Sequence, residues 1–316
     1  MSLYGAGKHT YELVDGWAKL PEGWSFRDVG GLAIDSQDRV YVFNRGAHPV
    51  IVFDREGNLL SSWGEGLFSG AHGICIGTDG SIFLTNPEPP AEHHAVYKYS
   101  SDGKLLLTLG KKDQPSDTGY VKGIDVFDGL ASIKQSGPPF NLPTGVALSS
   151  SGEIYVSDGY GNARVHKFSP DGNLLLSWGT PGCGPGQFRL PHLIWVDKQD
   201  RVWVVDRENS RIQIFDAQGK LLSQWTDLIR PTDICIDDEG IVYVSEICLR
   251  VSIFSPEGKL MARWGNQRQD KESPLFIAAH NIRVDSRGDI YVGEVPMTSK
   301  KIDRGTRTVQ KFSRKK

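Results

Sequence analysis

The sequence has few cysteines and no arrangement of them that suggests a structural or redox role. Cysteine occurs four times in 316 residues, as Cys75, Cys183, Cys235 and Cys248, and no two of these form a CxxC pair. A disulfide framework is therefore not expected. Free cysteines are typical of a reducing compartment, so we expect a cytoplasmic protein.

Long apolar runs and an excess of charge are also lacking. No apolar stretch approaches the ~18 residues of a membrane-spanning helix, so none is expected. The N-terminal segment MSLYGAGKHTYELVDGW has no basic stretch followed by an apolar core, so no signal peptide is visible. The net charge is −2 and the basic end KFSRKK is short. These features predict neither a nucleic-acid nor a membrane partner.

What the sequence does contain is a repeat rich in turn residues, with 36 glycines and 17 prolines in the chain. One unit reads PTGVALSSSGEIYVSDGYGNARVHKFSPDGNLLLSWG from Pro143, and similar units start at Pro191 and Pro231. Each has four apolar runs separated by turns such as SPDG, DAQG and SPEG. Four short antiparallel strands per unit are typical of a propeller blade.

Three further units start at Gly30, Ala71 and Ala279, which gives six blades beginning near residues 30, 71, 143, 191, 231 and 279. The last unit lacks its fourth strand. We predict that residues 10–21, TYELVDGWAKLP, supply this strand and close the ring, because closure removes exposed sheet edges. The prediction is an all-β, six-bladed propeller forming one domain over residues 1–316.

Three segments are longer than the repeat requires: 111–141, 266–277 and 296–307. Loops of this length are often functional. The first contains several apolar residues, namely Tyr120, Val121, Ile124, Val126, Phe127, Leu130 and Ile133. It is interpreted either as a lid over one face of the propeller or as a surface excursion.

Histidines recur at one position of the repeat. Alignment of the six units on the start of the innermost strand superimposes Gly30, His72, Thr144, His192, Thr232 and His280. Eight histidines scattered at random would place about 0.15 of them at these positions, whereas three are there, on every second blade. Of the others, His166 is expected on an exposed strand face, and His48, His93 and His94 are expected in solvated loops.

Innermost strands of a propeller line its central channel, so the topology predicts that the three imidazoles converge. Three neutral imidazoles suit a divalent transition metal, zinc above all, and three protein ligands leave a coordination position open, as in catalytic sites. The alternative is three independent histidines that bind channel waters.

Two arginines and a tyrosine fall on the loops that open on the same face. Arg45 and Arg207 follow the second strands of blades one and four, and Tyr160 lies one position further along its own loop. Guanidinium groups near a metal suggest a substrate with a carboxylate, and the tyrosine is a candidate general base. Each arginine is also compatible with a surface salt bridge, for which Asp206, Glu208 and Asp158 are candidate partners.

At this point the sequence resembles a known family. VSDGYGNARVHKFSPDGNLLLSWG, GQFRLPHLIWV and VDRENSRIQIF are similar to segments of NHL-repeat propellers and especially of peptidyl-α-hydroxyglycine α-amidating lyases. The resemblance implies a catalytic zinc on His72, His192 and His280, a catalytic Tyr160, and Arg45 and Arg207 as catalytic and substrate-binding residues. The implied reaction splits R–CO–NH–CH(OH)–COO⁻ into an amide and glyoxylate.

Two positions depart from that family. Its structural calcium uses an acidic residue where this chain has Asn281, so calcium is doubtful here. Its disulfide beside the catalytic tyrosine is missing, because Gly161 follows Tyr160. The implied substrate is a peptide or a small molecule with a carboxylate, and ureidoglycolate carries the same N–CH(OH)–COO⁻ unit.

Two other functions are compatible with the repeat. One is a non-catalytic NHL propeller that binds protein or RNA across one face. The other is a lactonase-type hydrolase, which resembles this chain in architecture but holds calcium with Glu, Asn and Asp. The fold alone does not choose between them, because propellers host many functions.

Overall fold

The computed structural model describes residues 2–88, 93–123, 125–265 and 274–315. Among the residues to which the sequence analysis assigned a role, Ile124 and the first part of the long segment 266–277 lie outside these ranges. Met1 and Lys316, the two ends of the quoted terminal segments, also lie outside them.

The described residues form strands that follow the repeat, and each blade consists of consecutive antiparallel neighbours. The N-terminal strands are β1 (Leu3–Ala6) and β2 (His9–Val14). Blade one contains β3 (Val29–Ile34), β4 (Val40–Asn44), β5 (Val50–Phe53) and β6 (Leu59–Trp63). Blade two contains β7 (Ile74–Ile76), β8 (Ile82–Thr85), β9 (Ala95–Tyr99) and β10 (Leu105–Gly110). Blade three contains β11 (Pro143–Leu148), β12 (Ile154–Asp158), β13 (Arg164–Phe168) and β14 (Leu174–Trp178).

The other three blades repeat this pattern, and the described residues also form two short α-helices. Blade four contains β15 (Pro191–Val196), β16 (Val202–Asp206), β17 (Arg211–Phe215) and β18 (Leu221–Trp225). Blade five contains β19 (Pro231–Ile236), β20 (Val242–Glu246), β21 (Arg250–Phe254) and β22 (Leu260–Trp264). Blade six contains β23 (Ala279–Val284), β24 (Ile290–Glu294) and β25 (Val309–Arg314). The helices are α1 (Val126–Ser132), between blades two and three, and α2 (Pro296–Lys300), within blade six.

The predicted six-bladed β-propeller is therefore confirmed, and the N-terminus completes blade six as expected. Strand β2 pairs with β25, so that Leu13 lies opposite Phe312. The predicted bounds of 10–21 were wrong at the C-terminal end, because the strand stops at Val14 and Gly16 adopts a positive φ of 63°. The sequence analysis also missed β1, which pairs with β2 and makes blade six five-stranded.

The turn between the first two strands of a blade is built around one aspartate. In blade four, Asp197 Oδ1 accepts hydrogen bonds from the backbone N–H groups of Gln199 and Arg201, and Oδ2 accepts one from Trp203 Nε1 at 2.8 Å. An aromatic residue six positions after the aspartate makes this contact in other blades as well. The pairs are Tyr41 with Asp35, Tyr243 with Asp237 and Tyr291 with Asp285.

The last residue of the second strand fixes where the first strand begins. Asp206 is fully buried and accepts hydrogen bonds from the backbone N–H groups of Arg189 and Leu190, immediately before β15. The same contact recurs between Asn44 and Arg27, Asn86 and Gly70, Asp158 and Asn141, and Glu294 and Ala278. Because buried backbone donors need partners, these side chains hold the register of the innermost strands.

The chain divides into two compact units, residues 69–231 and residues 1–68 with 232–316. The first unit contains blades two to four, with a core that includes Phe188, Val204 and Phe215. The second contains blades one, five and six, with a core that includes Phe26, Phe53 and Tyr291. Within the described ranges, no helix has the length and apolar character needed to cross a membrane.

Candidate active site

The aligned repeat position lies at the start of the innermost strand, as the sequence predicted. His192 and His280 are each the second residue of their strand, after Pro191 and Ala279. In blade two the strand starts later, at Ile74, so His72 precedes it. The backbone N–H of His72 still donates to the carbonyl of Thr85 at 3.1 Å, which keeps it in the blade register.

In the unit of residues 69–231, His72 is fully buried and held from both sides of its ring. Its Nδ1 lies 2.7 Å from the carbonyl oxygen of Thr144, the residue at the aligned position of blade three. Because a carbonyl can only accept, Nδ1 carries the proton and Nε2 carries a lone pair. A histidine that donates its other ring N–H to a backbone carbonyl is the usual arrangement of a metal ligand.

His192 is also fully buried in this unit, and its Nε2 points to the same place as that of His72. The hydroxyl oxygen of Tyr160 lies 3.0 Å from His72 Nε2 and 3.3 Å from His192 Nε2. The two imidazole rings are 4.7 Å apart at their centroids. Two ring nitrogens and a phenol oxygen therefore converge. Two of the predicted metal ligands thus lie next to the predicted general base.

His280 lies in the other unit and is 2% exposed. Its Nδ1 is 3.5 Å from Asn281 Oδ1, and Asn281 Nδ2 donates to the carbonyl of Gly30 at 3.0 Å. The contact of His280 with Asn281 is thus much longer than that of His72 with the Thr144 carbonyl. His280 thus stands at the repeat position of this unit that His72 and His192 occupy in the other.

Beside Tyr160, two arginines share one buried glutamate. The guanidinium of Arg207 lies 5.9 Å from the centre of the Tyr160 ring, and its Nε donates to Glu208 Oε1 at 2.8 Å. Arg230 donates to both carboxylate oxygens of Glu208, at 2.8 and 3.0 Å. Burial alone would raise the pKa of Glu208, but Arg230 and Arg207 outweigh it and lower the pKa below its usual value.

Replacing Glu208 with glutamine is expected to lower the free energy of unfolding by about 2 kcal/mol at pH 7, since charge-assisted hydrogen bonds to two arginines are lost. The folded-state pKa is depressed, so this stabilisation is present above the ordinary glutamate pKa of about 4.3 and is lost as the pH falls through the folded value. Urea denaturation of wild type and Glu208→Gln at pH 7 and below pH 4 measures the difference.

Glu153→Gln is the matched control for that experiment. Glu153 pairs with Lys167 at 2.9 Å but is 27% exposed, so its loss is expected to cost less than about 1 kcal/mol. A Glu208→Gln effect that stays constant over the whole pH range would contradict the assignment of the stabilisation to the carboxylate charge.

Arg45 occupies in the other unit the position that Arg207 occupies in its own. The Arg45 backbone N–H donates to the carbonyl of Asp28 at 2.8 Å, and Nη1 donates to Thr298 Oγ1 at 3.1 Å. Thr298 in turn donates to the Asp28 carboxylate at 2.6 Å. The first residues of α2 thus hold the Arg45 side chain, which gives the long segment 296–307 a structural role.

The long segment 111–141 packs directly beside the turn that carries Tyr160. Leu130 and Ile133 are buried with Leu190, and Tyr160 packs against this cluster. Thr118 Oγ1 donates to the carbonyl of Gly161 at 2.6 Å. The segment therefore packs against the turn of Tyr160, and its interpretation as a lid stays a prediction.

The remaining histidines differ partly from expectation. His166 was expected on an exposed face and is fully buried, with Nδ1 2.8 Å from Ser177 Oγ. His93 was expected in a solvated loop and is 7% exposed, and burial lowers its pKa to about 4. His48 keeps partial exposure and pairs with Glu65. His94 lies close to the site segment, where its Nδ1 accepts from the backbone N–H of Leu142.

Sequence reasoning missed three contributors to this site: the Thr144 carbonyl, Arg230 and helix α1. Glu208 was considered only as a surface salt-bridge partner of Arg207, whereas its side chain is 6% exposed and bridges two arginines. The position of Thr144 in the repeat was visible in the sequence. Nothing in the sequence indicated Arg230, because it lies in the connection before blade five.

The fold and these residues define a six-bladed propeller with a histidine-rich site. A model of the NHL repeat matches residues 140–168 and 188–215, that is, parts of blades three and four. A solved structure described as a putative gluconolactonase aligns with a TM-score of 0.60 at 14% identity, over 99% of this chain and 97% of that one. At this identity the likeness shows the fold alone.

Among curated proteins, the chain is similar to peptide-amidating enzymes. It is 34% identical over 61% of its length to the peptidylglycine alpha-amidating monooxygenase of Rattus norvegicus. It is 32% identical over 53% of its length to a probable peptidyl-alpha-hydroxyglycine alpha-amidating lyase of Caenorhabditis elegans. It is also 33% identical over 74% of its length to NHL repeat-containing protein 3 of Homo sapiens. The resemblance to the lyase is confirmed.

The chain matches only part of each relative. The aligned segments make up 21% of the rat enzyme, 43% of the worm protein and 62% of the human protein.

Proposed function

We propose that the protein is a metal-dependent lyase that cleaves the N–C bond of an α-hydroxyglycine-type carbinolamide to an amide and glyoxylate. The observation that carries this proposal is the convergence of His72 Nε2 and His192 Nε2 on the hydroxyl of Tyr160, at 3.0 and 3.3 Å. The similarity to proteins named amidating lyases supports the class of reaction.

His72, His192 and His280 would hold one metal ion, for which zinc is the best match to three neutral imidazoles. The donor set fits this role, because all three rings are buried and the Nδ1 contact of His72 leaves its Nε2 atom as a ligand. A bound zinc would supply Lewis acidity toward the hydroxyl oxygen of the substrate. Calcium is not part of the proposal, since Asn281 serves as the partner of His280.

Tyr160 is the candidate base, because its phenol oxygen is the group beside the two histidines that can exchange a proton. As the phenolate, its oxygen would accept the proton of the substrate hydroxyl as the C–N bond breaks. The electrons of the O–H bond form the new carbonyl of glyoxylate, and those of the C–N bond pass to the amide nitrogen. Return of the proton to that nitrogen completes the reaction, so no water is consumed.

Arg207 would hold the substrate carboxylate beside Tyr160. Its Nε is bound to Glu208, which leaves the terminal nitrogens as donors suited to a carboxylate. Arg45, at the equivalent position of blade one, is the second candidate. A peptide or a small molecule that carries a carboxylate next to the carbinol carbon is therefore the expected substrate.

The test is release of glyoxylate from N-acyl-α-hydroxyglycines by protein purified without an affinity tag and analysed for metal. About one zinc per chain together with equal amounts of amide and glyoxylate is the expected result. Calcium in place of zinc with hydrolysis of lactones would support a lactonase instead. Protein without metal or activity would support a binding propeller.

A further inference from the structure

Helix α1 and the connection before blade five present an apolar surface next to the site, within the unit of residues 69–231. We call it the α1 surface and define it by Val126, Phe127 and Ile229. These side chains are 44%, 47% and 47% exposed. The guanidinium of Arg230 lies 5.3 Å from the centre of the Phe127 ring and forms the edge of this surface.

Direct contacts connect the α1 surface to the residues proposed to hold the substrate. From Phe127 they run to Arg230, then through the carboxylate of Glu208 to Arg207, which faces the Tyr160 ring. Two guanidiniums share one carboxylate in this chain of contacts, so it keeps a net positive charge. Arg207, at the end beside Tyr160, suits a carboxylate. Phe127, at the other end, suits an apolar group.

The helix itself gives a second, independent connection. Leu130 lies three residues after Phe127, which is about 4.5 Å along a helix and on the same side of it. Leu130 is buried with Leu190 in the cluster against which Tyr160 packs. Phe127 therefore lies less than one helical turn from a residue that contacts the Tyr160 cluster.

Hydrogen bonds fix the segment that carries α1 to blade three. Asn141 donates its backbone N–H to the buried carboxylate of Asp158, and its Nδ2 donates to Thr118 Oγ1 at 3.2 Å. Asp125 caps the N-terminus of α1 by accepting from the Phe127 backbone N–H at 2.8 Å. A surface held in this way is pre-ordered, so a ligand does not bear the cost of ordering it.

We propose that the α1 surface binds the acyl part of the substrate and makes the enzyme selective for apolar acyl groups. This inference rests on the proposed function, because it assumes that Arg207 takes the carboxylate end of the same molecule. The substrate class is then an N-acyl-α-hydroxyglycine with an aromatic or branched aliphatic acyl group, and a small polar ureido group is disfavoured.

Binding of two stable analogues that lack the hydroxyl tests the proposal without turnover. N-benzoylglycine and N-acetylglycine differ in the acyl group alone, and titration calorimetry with the zinc-loaded protein gives both dissociation constants. We expect N-benzoylglycine to bind about tenfold more tightly, as burial of an aromatic ring predicts. In Phe127→Ala this preference is expected to fall at least about fivefold, while Phe127→Leu keeps part of it.

Leu106→Ala is the matched control, since Leu106 is 51% exposed on β10 of the same unit and lies outside the α1 surface. It is expected to leave both dissociation constants unchanged. Equal weakening of the two analogues by Phe127→Ala, an unchanged preference in that variant, or no preference in the wild type would overturn the proposal.

Failure of the reaction gives a different result from failure of this inference. If the analogues bind with the expected preference but α-hydroxyglycines release no glyoxylate, the acyl site is supported and the proposed reaction is rejected. If glyoxylate is released equally from acetyl and benzoyl substrates, the proposed reaction is supported and the acyl site is rejected. If neither analogue binds the zinc-loaded protein, the acyl site is rejected.

Discussion

Replacing His192 with alanine is expected to lower the metal affinity by more than about 100-fold and to abolish glyoxylate release with it. The physical reason is that His192 would supply one of three ligands, whereas alanine supplies none. Mutation of a residue that only supports a metal ligand typically lowers the metal affinity by about 10–100-fold. Loss of a ligand itself is expected to have a larger effect. Metal analysis after dialysis against a chelator, with activity measured on the same samples, gives both quantities.

His93→Gln is the control for a buried histidine in the same unit. His93 is 7% exposed and bonded to the Tyr97 hydroxyl at 3.0 Å, but it lies outside the aligned repeat position. We expect this variant to keep its metal. If it loses metal as His192→Ala does, or if His192→Ala retains wild-type metal content, the assignment of the ligands is wrong.

Replacing Tyr160 with phenylalanine is expected to lower kcat by about 10²–10⁴-fold, the range for loss of a general acid–base group. The ring remains to pack against Leu130 and Ile133, so the fold and the metal content are expected to be unchanged. Steady-state kinetics on an N-acyl-α-hydroxyglycine, together with metal analysis, separates the loss of the hydroxyl from loss of the site.

Tyr120→Phe is the matched control, because Tyr120 packs against the same cluster of Leu130, Ile133 and Leu190. It is expected to keep kcat within about twofold, as is usual for substitutions away from the chemistry. A Tyr160→Phe variant with wild-type kcat would exclude the tyrosine as the base, even if the metal site were correct.

Most of the fold could be predicted from the sequence because the signals are local and repeated. Alternating apolar runs, turns such as SPDG, and an aspartate followed six positions later by an aromatic residue each occur in several units. Agreement among copies compensates for the weakness of any one copy. The strand ends were less accurate, as the closing strand shows: the sequence continues to alternate beyond Val14, but Gly16 turns the backbone away.

The metal-binding group was predictable for the same reason. A histidine alone on an apolar strand carries little information, but three at equivalent positions of alternate blades do. The partner of His72 was not predictable, because a backbone carbonyl has no signature in the sequence and any residue at position 144 would supply one.

The contacts that surround Tyr160 were not accessible to sequence reasoning, because they join segments far apart in the chain. Phe127, Glu208 and Arg230 belong to three different connections, and nothing in the local sequence of any one of them refers to the others. His166 shows a similar limit. Its strand position suggested exposure, but packing against Phe140 buries the side chain.

The sequence by itself determined the number of blades, the completion of the last blade by the N-terminus and the equivalent positions of three histidines. All three follow from the repeat period of the sequence. Only the tertiary structure decided which ring nitrogens face the phenol of Tyr160, which carboxylate joins the two arginines and where helix α1 packs. These depend on side-chain directions and on distances between remote segments, which a periodic pattern does not specify.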